Sequence, residues 1–271
     1  MRVGVIVVTW NAREQVLSCL ASIDDVELIV VVDNGSTDDT IEAVRCEFPT
    51  VHLIELPRNY HFAAGANAGM RYALHQGMDA VLLLNNAARL LPGSLAVLCH
   101  VLQEHPAIGI VGARLEHPDG RVVVGADCDW HTAAIYEPLP PYRAPLIGVD
   151  YVWGTAMLIR SDVLRTIGLF DESYIAYFED MDLCMRARAA GWHIVGVRDA
   201  PVWHAGSATA NRSFLQQMWL RGRNWARCFL QHAPPSPRLW FWLFGVRLPH
   251  LVWSTLVTIL VWTVRRKEFR L

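Results

Sequence analysis

The segment Tyr177-Phe178-Glu179-Asp180-Met181-Asp182 places three carboxylates within four residues, ahead of Asp182–Ala190, whose spacing predicts a helix. A helix N-terminus favours the charged form of such acids. Two adjacent carboxylates repel each other, which raises the pKa of one of them. An acid tuned in this way can take a proton from a reacting hydroxyl. Asp182 stands four residues before Arg186, the spacing of a helical ion pair, and reads as structural.

A second set of polar residues lies upstream, where Thr9-Trp10-Asn11, Asp33-Asn34-Gly35-Ser36, Arg58-Asn59 and Asn85-Asn86 each follow an apolar run. The runs Arg2–Thr9, Glu27–Asp33, Val51–Glu55 and Asp79–Leu84 read as strands. Between them Ala12–Ile23, Thr37–Phe48 and Ala64–Gln76 read as helices. Asp38 and Asp39 fall in the first turn of the second helix, where Asp38 is better placed to cap than to meet a ligand. Near-continuous Val/Ile/Leu strands joined by helices predict an α/β fold, with a mostly parallel, Rossmann-like sheet covered on both faces. Ligands of such sheets bind at the carboxyl ends of the strands. The four polar clusters occupy those ends and so define a crevice for a polar ligand. TWNAREQ follows the first strand in place of a GxGxxG turn, which weighs against a dinucleotide-dependent dehydrogenase.

Further on, Pro118-Asp119-Gly120 marks a turn between the strands Ile110–Glu116 and Arg121–Gly125, adding antiparallel structure. Residues 127–149 carry four prolines and read as a loop. Tyr151–Ile159 and Trp192–Val197 return to strands.

Composition narrows the function. The net charge of -2 over 271 residues gives no reason to expect a nucleic acid partner. Six cysteines without a CxxC pair argue against zinc and a disulfide framework, and suit a reducing cytosol. Met1-Arg2 leads straight into a strand, so a cytoplasmic location is expected. Five of the eleven tryptophans lie after residue 224, and Leu251–Val264 is uncharged over 14 residues, short of the roughly 20 that span a bilayer. With Arg265-Arg266-Lys267 behind it, this tail suits the membrane interface. A terminal helix pair packed on the domain, or on a second copy in a homodimer, is the other reading.

VIVVTWN, VVDNGSTDDT, PRNYHFAAGANAGMRYA, LLLNNAARL, VWGTAMLIR, GLFDESYIAYFEDMDLCMRARAAGW and VWHAGSAT, in this order and spacing, resemble the GT-A glycosyltransferases of family 2, in particular bacterial rhamnosyltransferase-like members. The likeness runs from Val5 to about Asn224. It implies a GT-A domain over residues 1–210, with a nucleotide-binding half to about 115 and an acceptor-binding half from about 116. Residues 211–271 would form C-terminal helices at the membrane interface. It also implies inverting transfer of a sugar, rhamnose in the rhamnosyltransferase-like members, from dTDP-rhamnose or a UDP-sugar to a glycan or lipid-linked acceptor. Mg2+ or Mn2+ would be the cofactor.

Carried over by residue, the resemblance makes Asp180 the base, with Glu179 beside it. Thr9, Asn11, Asp33, Asn34, Asn59, Gly65, Asn67 and Asn86 would hold the nucleotide. Asp33 could accept from a pyrimidine N–H or a ribose hydroxyl, or serve only as a turn residue. Gly65 and Gly69 could bring a helix start close to the ligand, or simply pack the helix. Trp153 and Gly154 would face the acceptor, although Trp153 could equally be core. Arg223, with Arg221 and Asn224, could reach a phosphate or line a solvated helix face. His204 matches a metal-ligand position, against the bland reading of a structural histidine.

The family's fourth strand usually ends in a D-x-D-like motif whose last acid binds the metal. That position is Ala87. A substitution made to trap substrate, a natural member that leans less on metal, and a member without turnover are the three accounts. The intact motifs elsewhere favour the first.

Overall fold

The computed structural model describes residues 1–23, 26–206, 214–234, 236–247 and 249. The tail Leu251–Val264 and its basic cluster lie outside the described residues, so the membrane-interface expectation for them has no structural counterpart here. The chain divides into two compact units, Met1–Asp127 with Tyr136–Ala208, and Cys128–Ile135 with Thr209–Leu271.

The first unit opens with β1 (Val3–Thr9), α1 (Arg13–Leu20), β2 (Leu28–Asp33), α2 (Thr40–Glu47), β3 (His52–Glu55), α3 (His61–His75) and β4 (Ala80–Asn85). Next come β5 (Ala88–Leu90), α4 (Ser94–Glu104), β6 (Ile108–Glu116) and β7 (Val122–Val123). Of the short strands that follow, β8 (Asp127–Asp129) and β9 (Ala134–Tyr136) fall largely in the second unit, whereas β10 (Leu146–Gly148) belongs to the first. The unit closes with β11 (Ala156–Arg160), α5 (Ser161–Ile167), α6 (Glu179–Ala189) and β12 (His193–His204). In the second unit α7 (Phe214–His232) precedes α8 (Pro237–Trp240), which continues as a π-helical turn over Phe241–Arg247.

The main sheet has the order β10-β12-β6-β11-β4-β1-β2-β3, with β5 on β12 and β7 on β6. β1 pairs in parallel with β2 and β4, and β3 joins β2 in parallel. β11 runs antiparallel between β4 and β6. Side chains alternate along β1. Val3, Val5 and Val7 join the core beneath α1, α2 and α4, while Ile6 and Val8 meet α3 on the other face. A side chain at Gly69 would strike Ile6, and one at Gly65 would lie 2.9 Å from Val8, so these glycines let α3 press onto the sheet.

Several boundaries differ from expectation. α2 begins at Thr40 rather than Thr37 because the residues before it are engaged elsewhere. Ser36 Oγ donates to Asp33 Oδ1 at 2.5 Å, and the Thr37 N–H donates to Asn11 Oδ1 at 2.8 Å. Asp38 does act as a cap-like acceptor, from the Thr40 N–H at 3.1 Å. Residues 127–149 are not all loop, since β8, β9 and β10 lie within them. Strands of three residues are too short to display an alternating pattern. α4 and α5 go beyond the elements expected from sequence, although Leu95, Leu98, Val101 and Leu102 form the buried face of α4 at helical spacing.

Candidate active site

The strand order reverses at β1: β2 and β3 lie on one side of it and β4 on the other. Such a switch point opens a crevice at the carboxyl ends of the strands. Register brings the expected residues there, pairing Thr9 with Asp33 and Val8 with Asn85. Asn86, in the turn after β4, points its amide at Thr9 Oγ1 across 3.4 Å. Asp33 is 1% exposed, and its carboxylate accepts from the Ser36 N–H at 2.8 Å as well as from the Ser36 hydroxyl. The turn function is therefore realised. A carboxylate with about four acceptor positions keeps capacity for one more donor.

Asn11, at φ 45°, joins the first two strand ends: the Ser36 hydroxyl accepts from its N–H at 2.8 Å, while its own Oδ1 takes the Thr37 N–H. Gly35, at φ 74°, passes the Arg58 backbone so closely that a side chain there would come within 2.6 Å of the Arg58 Cα. Asn34 is spent on the start of α3. Its amide donates to the His61 carbonyl at 2.9 Å and its Oδ1 accepts from the Tyr60 N–H at 3.0 Å. Asn59 Oδ1 accepts from the His61 N–H at 2.8 Å. Asn67, buried within α3, is also engaged: it donates to the Phe170 carbonyl and Glu172, and accepts from the Phe170 N–H. These asparagines thus shape the crevice by pinning loops, and Gly65 does so by packing.

Around position 87 the chain forms a turn. The Ala87 N–H donates to Asn85 Oδ1 at 2.9 Å, and its carbonyl accepts from the Ala205 N–H at 3.1 Å. β5 pairs with β12 so that Ala88 lies opposite His204. The fold therefore brings the two expected metal positions together, although 117 residues separate them in sequence, from 87 to 204. His204 is 7% exposed, and neither Nδ1 nor Nε2 has a hydrogen-bond partner. Burial lowers its pKa to about 4, with His117 and Arg121 adding to the effect, so the ring is neutral and its lone pair available at pH 7. An orphaned buried imidazole of this kind fits a cation that accepts nitrogen. Ala87 offers no side-chain oxygen, and among the described residues no three His, Cys, Asp or Glu converge on one cation position.

Asp180 lies in the first turn of α6, not ahead of it. The helix starts three residues early because Tyr177 (φ 67°) and Phe178 (φ 73°) are both left-handed and turn the chain into it. Two bulky residues in this conformation are a strained arrangement of the sort that gathers at functional sites. Asp180 Oδ2 accepts from the Gly154 N–H at 3.0 Å and Oδ1 from the Met181 N–H at 2.8 Å. Burial pushes its pKa up, and these N–H groups partly offset the rise. Gly154 and Asp180, predicted separately, are thus in direct contact. Trp153 packs against the core and edge-on to Tyr151, with ring centroids 5.8 Å apart, so the core alternative describes most of its surface. Asp182 is fully buried and bonds Arg186 at 2.8 Å, as expected from spacing. Arg186 also donates to the Ile167 and Leu169 carbonyls, which anchors α6.

The family described as glycosyltransferase like family 2 matches residues 1–225. The chain belongs to the family 2 glycosyltransferases. The N-acetylglucosaminyl-diphospho-decaprenol L-rhamnosyltransferase of Mycobacterium tuberculosis is 28% identical over 212 residues, covering 68% of each chain. The low-salt glycan biosynthesis hexosyltransferase Agl10 of Haloferax volcanii is 26% identical over 190 residues, covering 68% of this chain and 61% of its own length. Among solved structures, GalNAc-T7 with UDP, GalNAc and Mn2+ superposes with a TM-score of 0.67 at 14% identity, over 84% of this chain and 47% of that one. The mannosyltransferase of Pyrobaculum calidifontis with GDP-Man and Mn2+ gives 0.62 at 19%, over 89% and 68%. Both support the GT-A fold expected from sequence.

In this family 2 glycosyltransferase, Arg223 is exposed on α7 and Asn224 is buried. α7 belongs to the second unit. The left-handed pair Tyr177-Phe178 escapes sequence reasoning, since neither is a residue type that favours that conformation. His117 is missed as well. Its ring lies edge-on to His204 at 5.4 Å between centroids, and a histidine beside a Pro-Asp-Gly turn is the one cue the sequence offers.

Proposed function

We propose that this glycosyltransferase moves a sugar, with inversion, from a nucleoside-diphosphate donor to a hydroxyl of a glycan or lipid-linked acceptor. The Asp180 carboxylate, fixed by two backbone N–H groups with its pKa raised, carries this reading: it is oriented and poised to accept a proton from the acceptor hydroxyl. Removal of that proton as the oxygen attacks the anomeric carbon gives a single displacement. Thr9, Asp33 and Asn86 hold the nucleoside at the strand ends. Glu179, buried in the same turn, neighbours the base. A divalent cation held at His204 and by the donor diphosphate would offset the charge growing on the leaving group. Similarity to the mycobacterial enzyme supports dTDP-rhamnose as the first donor to try, and a polyprenyl-diphosphate saccharide as the acceptor. Release of nucleoside diphosphate should follow from one member of a panel of dTDP-, UDP- and GDP-sugars given Mn2+ and such an acceptor. Sugar transfer is ruled out if donors bind but none is consumed. That outcome would favour a silent, glycosyltransferase-like binding subunit, for which Ala87 speaks.

The second unit supports a place on the membrane surface. No helix among the described residues is long and apolar enough to cross a membrane. α7 and the residues after it expose Leu215, Trp219, Trp240, Phe241 and Phe244. They also carry Arg221, Arg223, Arg227 and Arg238, and no acidic residue occurs between Asp199 and Glu268. Amphipathic aromatics beside cations suit anionic headgroups. The chain should therefore pellet with anionic vesicles, and deletion of residues 237–271 should abolish this. Equal pelleting of the shortened chain would sink the idea.

A further inference from the structure

His117 has no part in the site implied by the family motifs, yet the sheet delivers it there. β12 and β6 run parallel with Trp203 opposite Glu116, so one step further along both strands His204 comes beside His117. β5 flanks β12 on its other side, with Ala88 opposite His204. Three neighbouring strands thus bring His117, His204 and the turn at Ala87 together. Turn bonds fix the His117 backbone, its N–H donating to the Arg121 carbonyl and its carbonyl accepting from the Gly120 N–H, each at 2.9 Å. The two rings lie at 69° with centroids 5.4 Å apart. Two imidazoles on one ion, with metal–nitrogen bonds of about 2.1 Å and a near-tetrahedral angle, place their centroids about 5 Å apart. His204 is buried with both nitrogens unpartnered, an arrangement that costs a polar side chain free energy unless the site is built for a ligand.

We propose that His117 and His204 form a two-imidazole site for a divalent transition ion, with His117 replacing the carboxylate absent at position 87. Imidazole suits ions such as Co2+, Zn2+ and Mn2+, whereas the hard cation Mg2+ selects oxygen. Asp119, Glu137 and Arg121 surround His117, and Arg121 approaches Glu137 at 3.7 Å. With two protein ligands, the other coordination positions belong to water or the donor diphosphate. The ion's catalytic use rests on the sugar-transfer reading, but its binding does not. On this assignment the ion keeps two protein ligands although position 87 carries no carboxylate.

The test uses the full chain without donor or acceptor, so a failed transfer assay does not bear on it. Co2+, Mn2+ and Mg2+ binding are measured by titration calorimetry, and bound imidazole nitrogens are counted by pulsed EPR on the Mn2+ form. Two imidazoles are expected in the unaltered chain and one in His117→Ala, with Co2+ binding weakened about 10- to 100-fold in the variant, on the scale of losses at metal sites. Fewer than two imidazoles in the unaltered chain overturn the proposal, and that readout needs no variant to fold. Equal Co2+ affinity in His117→Ala, or Mg2+ binding as tight as Co2+, overturns it too.

Discussion

Replacement of Asp180 by Asn is expected to lower turnover about 100- to 10,000-fold, the usual contribution of a positioned general base. Asn keeps the size of the side chain and one acceptor for the Gly154 or Met181 N–H, but cannot take a proton. The same change should leave stability at pH 7 unchanged or higher. The sign follows from the raised pKa. The folded chain still holds this proton at pH values above about 3.9, where the unfolded carboxylate has released it. Stability therefore falls as pH rises through that window, and the ionised form is a net cost above it. Asn has no charge to bury and escapes the cost. For the same reason the acid limb of the rate profile should lie above the normal carboxylate range. Nucleoside-diphosphate release and a thermal melt, run on both proteins, read the two effects separately. An Asn variant with unimpaired turnover would move the base elsewhere, whereas joint loss of activity and fold would make Asp180 structural.

Ala87→Asp is expected to act in the opposite direction, raising Mn2+-dependent turnover by about 100-fold or more, on the scale of electrostatic stabilisation at a leaving group. The Ala87 N–H and carbonyl are held by Asn85 and Ala205, and these backbone bonds do not depend on the side chain. An acid there enters the turn next to the strand position opposite His204. Ala87 is only 7% exposed, so the new carboxylate is poorly hydrated without a cation. The variant should accordingly melt lower than the parent in chelator and regain stability with Mn2+, because ligands that bind only the folded state stabilise it. Unchanged turnover would mean that transfer does not draw on a carboxylate at this position.

Much of this site is legible one residue at a time, and the reason is local. Strand ends are announced by a switch from Val/Ile/Leu to Thr, Asp or Asn, as at Thr9, Asp33 and Asn85. The ion pair between Asp182 and Arg186 follows from helical spacing alone. What each polar residue does is less legible, because one amide serves either a ligand or a neighbouring loop. Asn34 and Asn67 look like ligand contacts in a motif, but their hydrogen bonds go to Tyr60 and His61 and to the loop at Phe170–Glu172.

Apolar period and punctuation alone imply the parallel sheet, the crevice at its carboxyl edge and the pair of acids that could act as base. These are patterns in neighbouring residues, and the backbone must honour them to bury its hydrophobic face. Long-range partnership came from the tertiary structure. Gly154 reaches Asp180 across 26 residues. His204 meets Ala88 through an antiparallel pair and His117 through a parallel one, and the register of each pair depends on how whole strands pack. No local signal encodes that register. The second imidazole beside an absent carboxylate therefore becomes visible only when the three strands are set side by side.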